Sequence, residues 1–350
     1  MLQTRELDPW AEAIDSYPLA GDARARLRAA IAFAVLAPSS HNSQPWLFQI
    51  SGNTLELRAD RTRGLPVSDP DDRELTMACG AALFNLRVTL DYFGEQFEID
   101  TLPDPADPDL MARIRITGRG EAGVKDASLF RAIPRRHTNR QPFKPAAVPE
   151  QLLARARAGA EAEGAWLQTL TGETDRVALA EIIAEADRQQ MADRHFRREL
   201  AAWLHANRSA SRDGMPGYAH GVGDLASSLA PVVIRSFDLG RGAAARDRQL
   251  ALGSPVLAVL WTESESPRDW LKAGQALEHA LLRLTTDGVS VSYLNQAIEV
   301  PELRDGIGRL LNREGWPQLI LRLGFGPVVR PTQRRKVEDV LVTMERVDAP

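Results

Sequence analysis

The 350-residue sequence predicts an α+β fold. Three observations predict it. Two strand-like runs, 46–50 and 54–59, are joined by Ser51-Gly52-Asn53, the composition of a tight hairpin. Short, strongly apolar runs recur late in the chain, at 255–261 and 318–323, and 289–294 alternates as a half-buried strand does. Longer segments, such as 75–93 and 267–284, carry small and apolar residues at helical spacing.

The elements follow in order. Residues 8–36 read as helical, with a break near Tyr17-Pro18. A proline-bounded loop, 37–46, separates this region from the hairpin. A polar loop, 61–74, ends in an acidic helix start, where Asp71 or Asp72 suits the N-cap because a short carboxylate accepts from the first N–H groups. In the helix 75–93, Ala78, Ala81, Ala82, Leu86 and Leu90 recur at helical spacing, and Cys79-Gly80-Ala81 lets a neighbour approach closely, so this helix is central and buried. Two short strands within 97–118 flank the loop 103–108. A polar connection ends near residue 125, which divides the chain into domains 1–125 and 126–350. The second half opens with the basic run 131–140. Pro149 starts a helix, 150–163, followed by a strand at 165–170 and one long helical stretch, 173–205. Segment 207–223 breaks all periodicity with Gly214, Pro216, Gly217, Gly221 and Gly223, and is the candidate lid. The strand 255–261 precedes the helix 267–284, in which Gly274, Ala276 and Ala280 allow a second close contact. The strand 289–294, a helix 301–311, the strand 318–323 and a basic, then acidic-apolar tail complete the chain.

Composition excludes several classes. With 44% apolar and 26% charged residues, the chain can bury a large core. A net charge of −4 gives no global field to hold nucleic acid or an anionic membrane. One cysteine excludes an internal disulfide and a multi-cysteine metal site. The residues 1–10 carry charges and no apolar core, unlike a secretory signal, and no apolar run approaches the roughly 20 residues of a membrane span. The expectation is a cytoplasmic enzyme with no metal.

The chemistry gathers in the stretch Ala37-Pro38-Ser39-Ser40-His41-Asn42-Ser43-Gln44-Pro45-Trp46. Two prolines stop the preceding helix and force extended backbone. Three hydroxyls, an Asn, a Gln and a His lie between them. Rigid backbone with many short donors and acceptors suits a flat heterocycle; a capped, Asx-rich helix-to-strand turn would use the same residues. A second stretch, Arg135-Arg136-His137-Thr138-Asn139-Arg140-Gln141-Pro142-Phe143, is basic and carries a hydroxyl.

The first stretch resembles the ring-contacting APS-x-x-N-x-Q-P-W loop of the FMN-dependent nitroreductase superfamily, and the second is similar to that family's phosphate-binding R-[RH]-[ST]-x-[RK] start. In ordinary members the phosphate motif comes first; here the order is inverted. The first half has the ring loop without a phosphate motif, and the second has the phosphate motif without a ring loop. The halves are complementary in what they lack. The chain therefore resembles the Acg-type branch, a single-chain mimic of the usual dimer, and 65–74, 79–86 and 269–275 fit that branch. The resemblance implies two related α/β halves with central, mainly antiparallel sheets covered by helices. It implies a monomeric pseudo-dimer that holds one FMN and uses NAD(P)H to reduce a small-molecule acceptor, such as a nitroaromatic or a quinone. The alternative is a lid-closed, FMN-sequestering protein with little turnover.

Carried over residue by residue, the resemblance assigns phosphate contacts to Arg136 and Thr138, with His137 on phosphate or ribityl. It places Arg140 near the ring's N1 and O2, and Pro38, Ser39, Ser40 and Asn42 on ring and ribityl. Gln44 and Trp46 buttress the loop. Asn295 and Gln296 fall where the family lines the ring's N5 and O4, and Gln296 replaces the usual small residue. Arg334, then Arg335, best matches the second phosphate cation, although a basic tail is also compatible with simple solvation. No nucleophile or metal signature competes, and no acid–base residue is assigned.

Overall fold

Asp22 opens the first helix, α1 (Ala23–Ala34), its carboxylate accepting from the Ala25 N–H at 2.8 Å. In the computed structural model, residues 17–120 and 126–342 are described. The predicted helical residues before Tyr17 and the predicted boundary near residue 125 lie outside them. Strands β1 (Trp46–Ser51) and β2 (Thr54–Ala59) form the expected hairpin, with Gly52 at φ 58° in its turn. Helix α2 (Arg73–Tyr92) follows, then β3 (Glu95–Thr101) and β4 (Leu110–Arg119). The four strands form an antiparallel sheet in the order β1-β2-β4-β3.

The N-cap of α2 departs from expectation. Asp72 stands at the cap position but makes no cap bond; it pairs with Arg61. The cap is Asp69, whose two carboxylate oxygens accept from the N–H groups of Glu74 (3.0 Å) and Leu75 (2.9 Å). The chain doubles back between them, so a carboxylate further upstream reaches the helix end.

The second half begins with α3 (Ala127–Ala132), α4 (Glu150–Ala162) and β5 (Trp166–Leu170). The stretch predicted as one helix is two, α5 (Glu173–Ala192) and α6 (Arg194–Ala202). Asp193 separates them in extended backbone, and its side chain accepts from the His195 N–H at 2.8 Å to start α6. Two short strands, β6 (Leu204–His205) and β7 (Met215–Pro216), pair in parallel. Helices α7 (Asp224–Ser236) and α8 (Gly240–Leu252) fill a region to which the sequence reading gave no element. Pro231 inside α7 and Gly240 and Gly242 at the start of α8 hide the helical pattern. Then come β8 (Val256–Thr262), α9 (Pro267–Thr286), β9 (Ser290–Tyr293), α10 (Gln296–Glu299), α11 (Pro301–Leu310), β10 (Trp316–Gly324) and α12 (Val337–Val340). Strands β5-β8-β10-β9 form a second antiparallel sheet.

Burial follows from what covers each sheet. Every residue of β8 is buried, because α4 and α9 pack on one face and α5 and α11 on the other. Strand β3, at the sheet edge, alternates, and the outer face of its sheet carries charges such as the Arg113–Glu56 pair between β4 and β2 at 2.9 Å. The two sheets are joined through α2 and α9. A Cβ on Gly274 would lie 1.9 Å from the Met77 carbonyl oxygen, and one on Gly80 would lie 2.3 Å from that of Leu271. Only glycine permits this backbone-to-backbone contact. Both glycines sit in the close-approach positions read from the sequence. Leu271 and Leu282 of α9 enter the first core, and Met77 of α2 enters the second. The tail returns to the first half: Val337 and Val340 join its core, and the Val342 N–H donates to the Phe48 carbonyl at 2.8 Å.

Candidate functional site

The loop between α1 and β1 is strained. His41, Asn42 and Gln44 have φ of 52°, 56° and 54°. Left-handed backbone costs a non-glycine residue on the order of 1–3 kcal/mol and persists only where the surroundings over-determine it. The surroundings here are largely the second half of the chain. Asn42 Nδ2 donates to the carbonyls of Gly214 (3.0 Å) and Gln333 (3.1 Å), and its Oδ1 accepts from Arg334 at 2.7 Å. Gln44 Nε2 donates to the Arg212 carbonyl at 2.8 Å, and its Oε1 accepts from the Arg335 N–H at 2.8 Å. Ser39 Oγ accepts from the Gln44 N–H at 2.9 Å, and Trp46 is fully buried behind.

The basic loop is held differently, through its backbone. The Asn139 N–H donates to the Val291 carbonyl at 2.8 Å, which pins the loop beside β9. Arg322, on β10, donates to the carbonyls of Asn139 (3.0 Å) and Gln141 (3.1 Å) and stacks 4.2 Å from the Phe143 ring. Arg136 is buried; it donates to the Leu36 carbonyl at 3.0 Å and faces Glu278 at 3.5 Å.

The two loops meet at a cleft of about 840 Å³. Its walls include Pro38, Ser39, Ser40 and His41 from the first loop, Thr138 and Arg140 from the second, and Asn295 and Gln296 from the start of α10. A smaller pocket of about 230 Å³ shares Pro38, Ser39, Thr138, Arg140 and Met215 with the cleft and adds Asn42, His137 and Arg334. Ten of the twelve residues singled out from the sequence thus line one continuous space. The other two do not. Arg136 lies on a third cavity of about 240 Å³ behind the basic loop. Arg335 holds the first loop from outside, with Nη1 donating to the Gln44 carbonyl at 3.1 Å and lying 3.7 Å from Asp60. Asn295 lines the cleft, but its Oδ1 is engaged by the Ile320 N–H at 3.0 Å.

The small pocket is cationic. Its lining contains His137, Arg140, Arg330 and Arg334 and no carboxylate. Burial, with Arg136 beside it, lowers the Arg334 pKa to about 9. Burial, then Arg136 and Arg334, lowers His137 to about 3, so its imidazole is neutral. Burial also lowers Arg140, whose guanidinium has Met215 Sδ, at 3.9 Å, as its hydrogen-bond partner among the described residues. Crowded, desolvated guanidiniums in a pocket with no carboxylate on its walls suit a dianion such as a phosphate.

The cleft itself mixes apolar walls, including Met77, Phe196, Leu200, Leu250 and Leu277, with groups the sequence reading did not single out. Ser40 Oγ donates to Glu74, which pairs with Arg73 at 2.9 Å. Glu299 is raised to about 8, chiefly by burial and then by Glu74, and accepts from Gln190 at 2.6 Å. Asp187, Asp247, His220 and Arg246 also face the cleft. These residues are scattered along helices, and no local spacing marks them. Segment 207–223 supplies Met215, Gly217, His220 and Val222 to the walls. It is tied down by the Gly214 N–H to the Asn42 carbonyl (3.2 Å), by Tyr218 Oη to the Pro331 carbonyl (3.0 Å) and by an Arg63–Asp213 ion pair. Among the described residues no cluster of His, Cys, Asp and Glu could hold a metal, and no helix is long and apolar enough to cross a membrane.

Known proteins are similar in sequence to this chain along about nine-tenths of its length. A Mycobacterium tuberculosis protein named as an NAD(P)H nitroreductase is 32% identical over 322 residues, 90% of each chain. Another from the same organism, named NAD(P)H nitroreductase acg, is 28% identical over 333 residues, 90% of this chain and 94% of its own. The NAD(P)H nitroreductase PigM of Serratia is 26% identical over 349 residues, 93% of this chain and 95% of its own. Among solved structures, the FMN-dependent nitroreductase NfnB from Mycobacterium smegmatis in complex with NADPH covers 63% of this chain and 98% of itself, at 17% identity and a TM-score of 0.42. No family model matches the chain.

Proposed function

We propose a function from one premise: the chain belongs to the NAD(P)H nitroreductase family, being 32% identical to a member over 90% of both chains. On that premise the chain is an FMN-binding oxidoreductase that uses NAD(P)H for the two-electron reduction of nitroaromatic, quinone or related acceptors. One observation carries the reading: a cationic, carboxylate-free pocket opens through Pro38, Ser39, Thr138 and Arg140 into a cleft of about 840 Å³. A dianionic end and a flat, mostly apolar body require that pairing of spaces, and the volume is that of a small-molecule site.

The donor set fits FMN. Arg334, His137 and Thr138 would hold the phosphate; Arg140 would lie along the ring; Pro38, Ser39 and Ser40 would cover one face of it, with Gln296 near its edge. FMN, when bound, would supply the hydride-transfer chemistry that links NAD(P)H to the acceptor. The protein's part is positioning and electrostatics. A buried guanidinium such as Arg140 stabilises negative charge beside it far more than it would in water. Phe196, Leu200 and Leu277 keep water from the walls. The strained first loop is pre-organised by its contacts to Gly214, Gln333 and Arg334, so it does not have to order itself on binding.

Steady-state oxidation of NADH and NADPH, with a panel of nitroaromatics and quinones, tests the reading. Turnover well above that of free FMN is expected; rates no higher than free FMN contradict it. A second reading, an FMN-sequestering protein with little turnover, is favoured by the bonds that tie 207–223 across the first loop. Deleting residues 208–221 then speeds flavin reduction by NAD(P)H. Equal rates in the intact and deleted forms rule that reading out.

A further inference from the structure

Asp187 on α5 and Asp247 on α8 both line the main cleft. A single amide nitrogen joins them. Gln296 Nε2 donates to Asp187 Oδ1 at 3.1 Å and to Asp247 Oδ2 at 2.6 Å. Asp187 is 5% exposed, and its second oxygen, Oδ2, is buried with no hydrogen-bond partner among the described residues. An ionised carboxylate so placed is costly, because one oxygen has neither water nor a donor. A protonated one costs less: the acid is neutral, and from the cleft wall that Asp187 helps to form a carboxylic acid can donate. Two carboxylates flanking one amide group also repel when both are charged, so the pair holds a proton that a lone carboxylate would lose.

The surrounding charges agree. Burial, and next Asp247, push Asp187 up to about 7, against the Gln296 hydrogen bond and Arg188 on its own helix. Burial raises Asp247, opposed by Arg246 on α8, by Gln296, by Arg322 on β10 and by Arg140 on the basic loop. Glu299 on α10, itself raised by burial, faces the same cleft.

We propose that Asp187, paired with Asp247 across the Gln296 amide, is the acid that protonates the electron acceptor in the cleft. The inference rests on the oxidoreductase reading above and narrows the substrate class to acceptors with an oxygen that gains a proton on reduction. For a quinone, hydride arriving from reduced FMN at one end leaves negative charge on the other carbonyl oxygen. The Asp187 O–H bond breaks and its electron pair stays on the carboxylate. The proton forms the new O–H bond, and the hydroquinone leaves. Water returns a proton to Asp187.

The test uses the full chain as wild type, Asp187→Asn, Asp247→Asn and Gln296→Met. In the FMN-free protein, the infrared difference between wild type and Asp187→Asn should contain a protonated carboxyl component that titrates near neutral pH, over the bands that Glu278 and Glu299 contribute to both forms. Gln296→Met, which removes the hydrogen bonds that favour the charged forms, should hold that proton to higher pH. In the FMN-loaded protein, stopped flow separates flavin reduction by NAD(P)H from reoxidation by a quinone. Asp187→Asn should slow reoxidation about a hundredfold and flatten its pH profile. Flavin reduction should stay within about twofold, the margin expected of a step that needs no general acid. A carboxyl band unchanged in Asp187→Asn, or a reoxidation pH profile unchanged in both Asn variants, overturns the proposal while leaving FMN binding intact. Failure of every form to bind FMN instead overturns the oxidoreductase reading, and the proposal with it.

Discussion

The two loops that form the cleft solve the same problem in opposite ways. Loop 37–46 bends through three left-handed residues, so its backbone cannot pair regularly, and the side chains of Asn42, Gln44 and Ser39 supply the missing bonds. Loop 135–143 is pinned by its backbone beside β9 and by Arg322 and Arg136, which leaves His137, Thr138 and Arg140 on the cavity walls. A run of polar residues in a sequence therefore does not say which of them face a ligand. Where the backbone is strained, more polar side chains become scaffolding; where a sheet edge carries it, His137, Thr138 and Arg140 remain on the cavity walls, while Asn139 still braces its loop by donating to the Pro327 carbonyl at 2.8 Å.

The two halves that carry the loops touch backbone to backbone at α2 and α9, so the largest effect is expected from breaking that contact. Gly274→Leu would drive its Cβ to within 1.9 Å of the Met77 carbonyl oxygen. The loss expected is about 3 kcal/mol or more, with a matching fall in thermal midpoint. A variant as stable as wild type would show that the loops are not held together by this seam.

A second prediction sharpens the contrast from the cationic side. Arg334→Ala should weaken FMN binding by about 1.5–3 kcal/mol, roughly 10–150-fold in Kd, in a fluorescence titration. Riboflavin, which lacks the phosphate, should lose less than about threefold, since a hydrogen bond to a charged group is the larger loss. Equal losses for both ligands would move the phosphate elsewhere.

The third concerns pH. Burial raises Glu278, which faces Arg136 behind the basic loop, to about 7. The folded chain thus holds a proton that the unfolded chain loses near pH 4.5, and between those values the native state binds more protons. Stability should fall as pH rises from about 4.5 to about 7. Glu278→Gln should make that decline in thermal midpoint shallower; an unchanged slope would show that Glu278 is ionised throughout. The smallest effect belongs to Arg335→Ala. Its guanidinium contacts to the Gln44 carbonyl and Asp60 hold the first loop from outside, so a loss of about 1 kcal/mol in stability is expected. FMN affinity should stay within about twofold, because no charge-assisted bond to the ligand is removed.

Much of the fold was legible because periodicity and turn chemistry agreed locally. The hairpin around Gly52, the helices starting at Glu150 and Pro267 and the apolar strands β8 and β10 follow directly from pattern. Gly80 and Gly274 marked the seam because a close helix contact leaves no room for a side chain. The misses have physical causes. Asp69 caps α2 from several residues upstream because the chain doubles back, a geometry no spacing rule encodes. Asp193 ends one helix and caps the next without a proline or glycine to announce it. Helices α7 and α8 hide behind Pro231 and a glycine-rich start. In the site, the two motifs pointed to the shared cavity, but Arg136 turned inward to Leu36 and Glu278 while its neighbours faced the ligand space. Asp187 and Asp247 look like ordinary surface carboxylates in the sequence; only the packing of α5, α8 and α10 brings them under Gln296.

The central claim is that one polypeptide folds both loops around a single flavin nucleotide. The most direct measurement is the visible absorbance spectrum of the purified chain, with its bound cofactor released and quantified. The account predicts a yellow protein carrying one FMN per chain, or a colourless one that takes up one FMN per chain when titrated. A chain that neither retains nor binds FMN would contradict it.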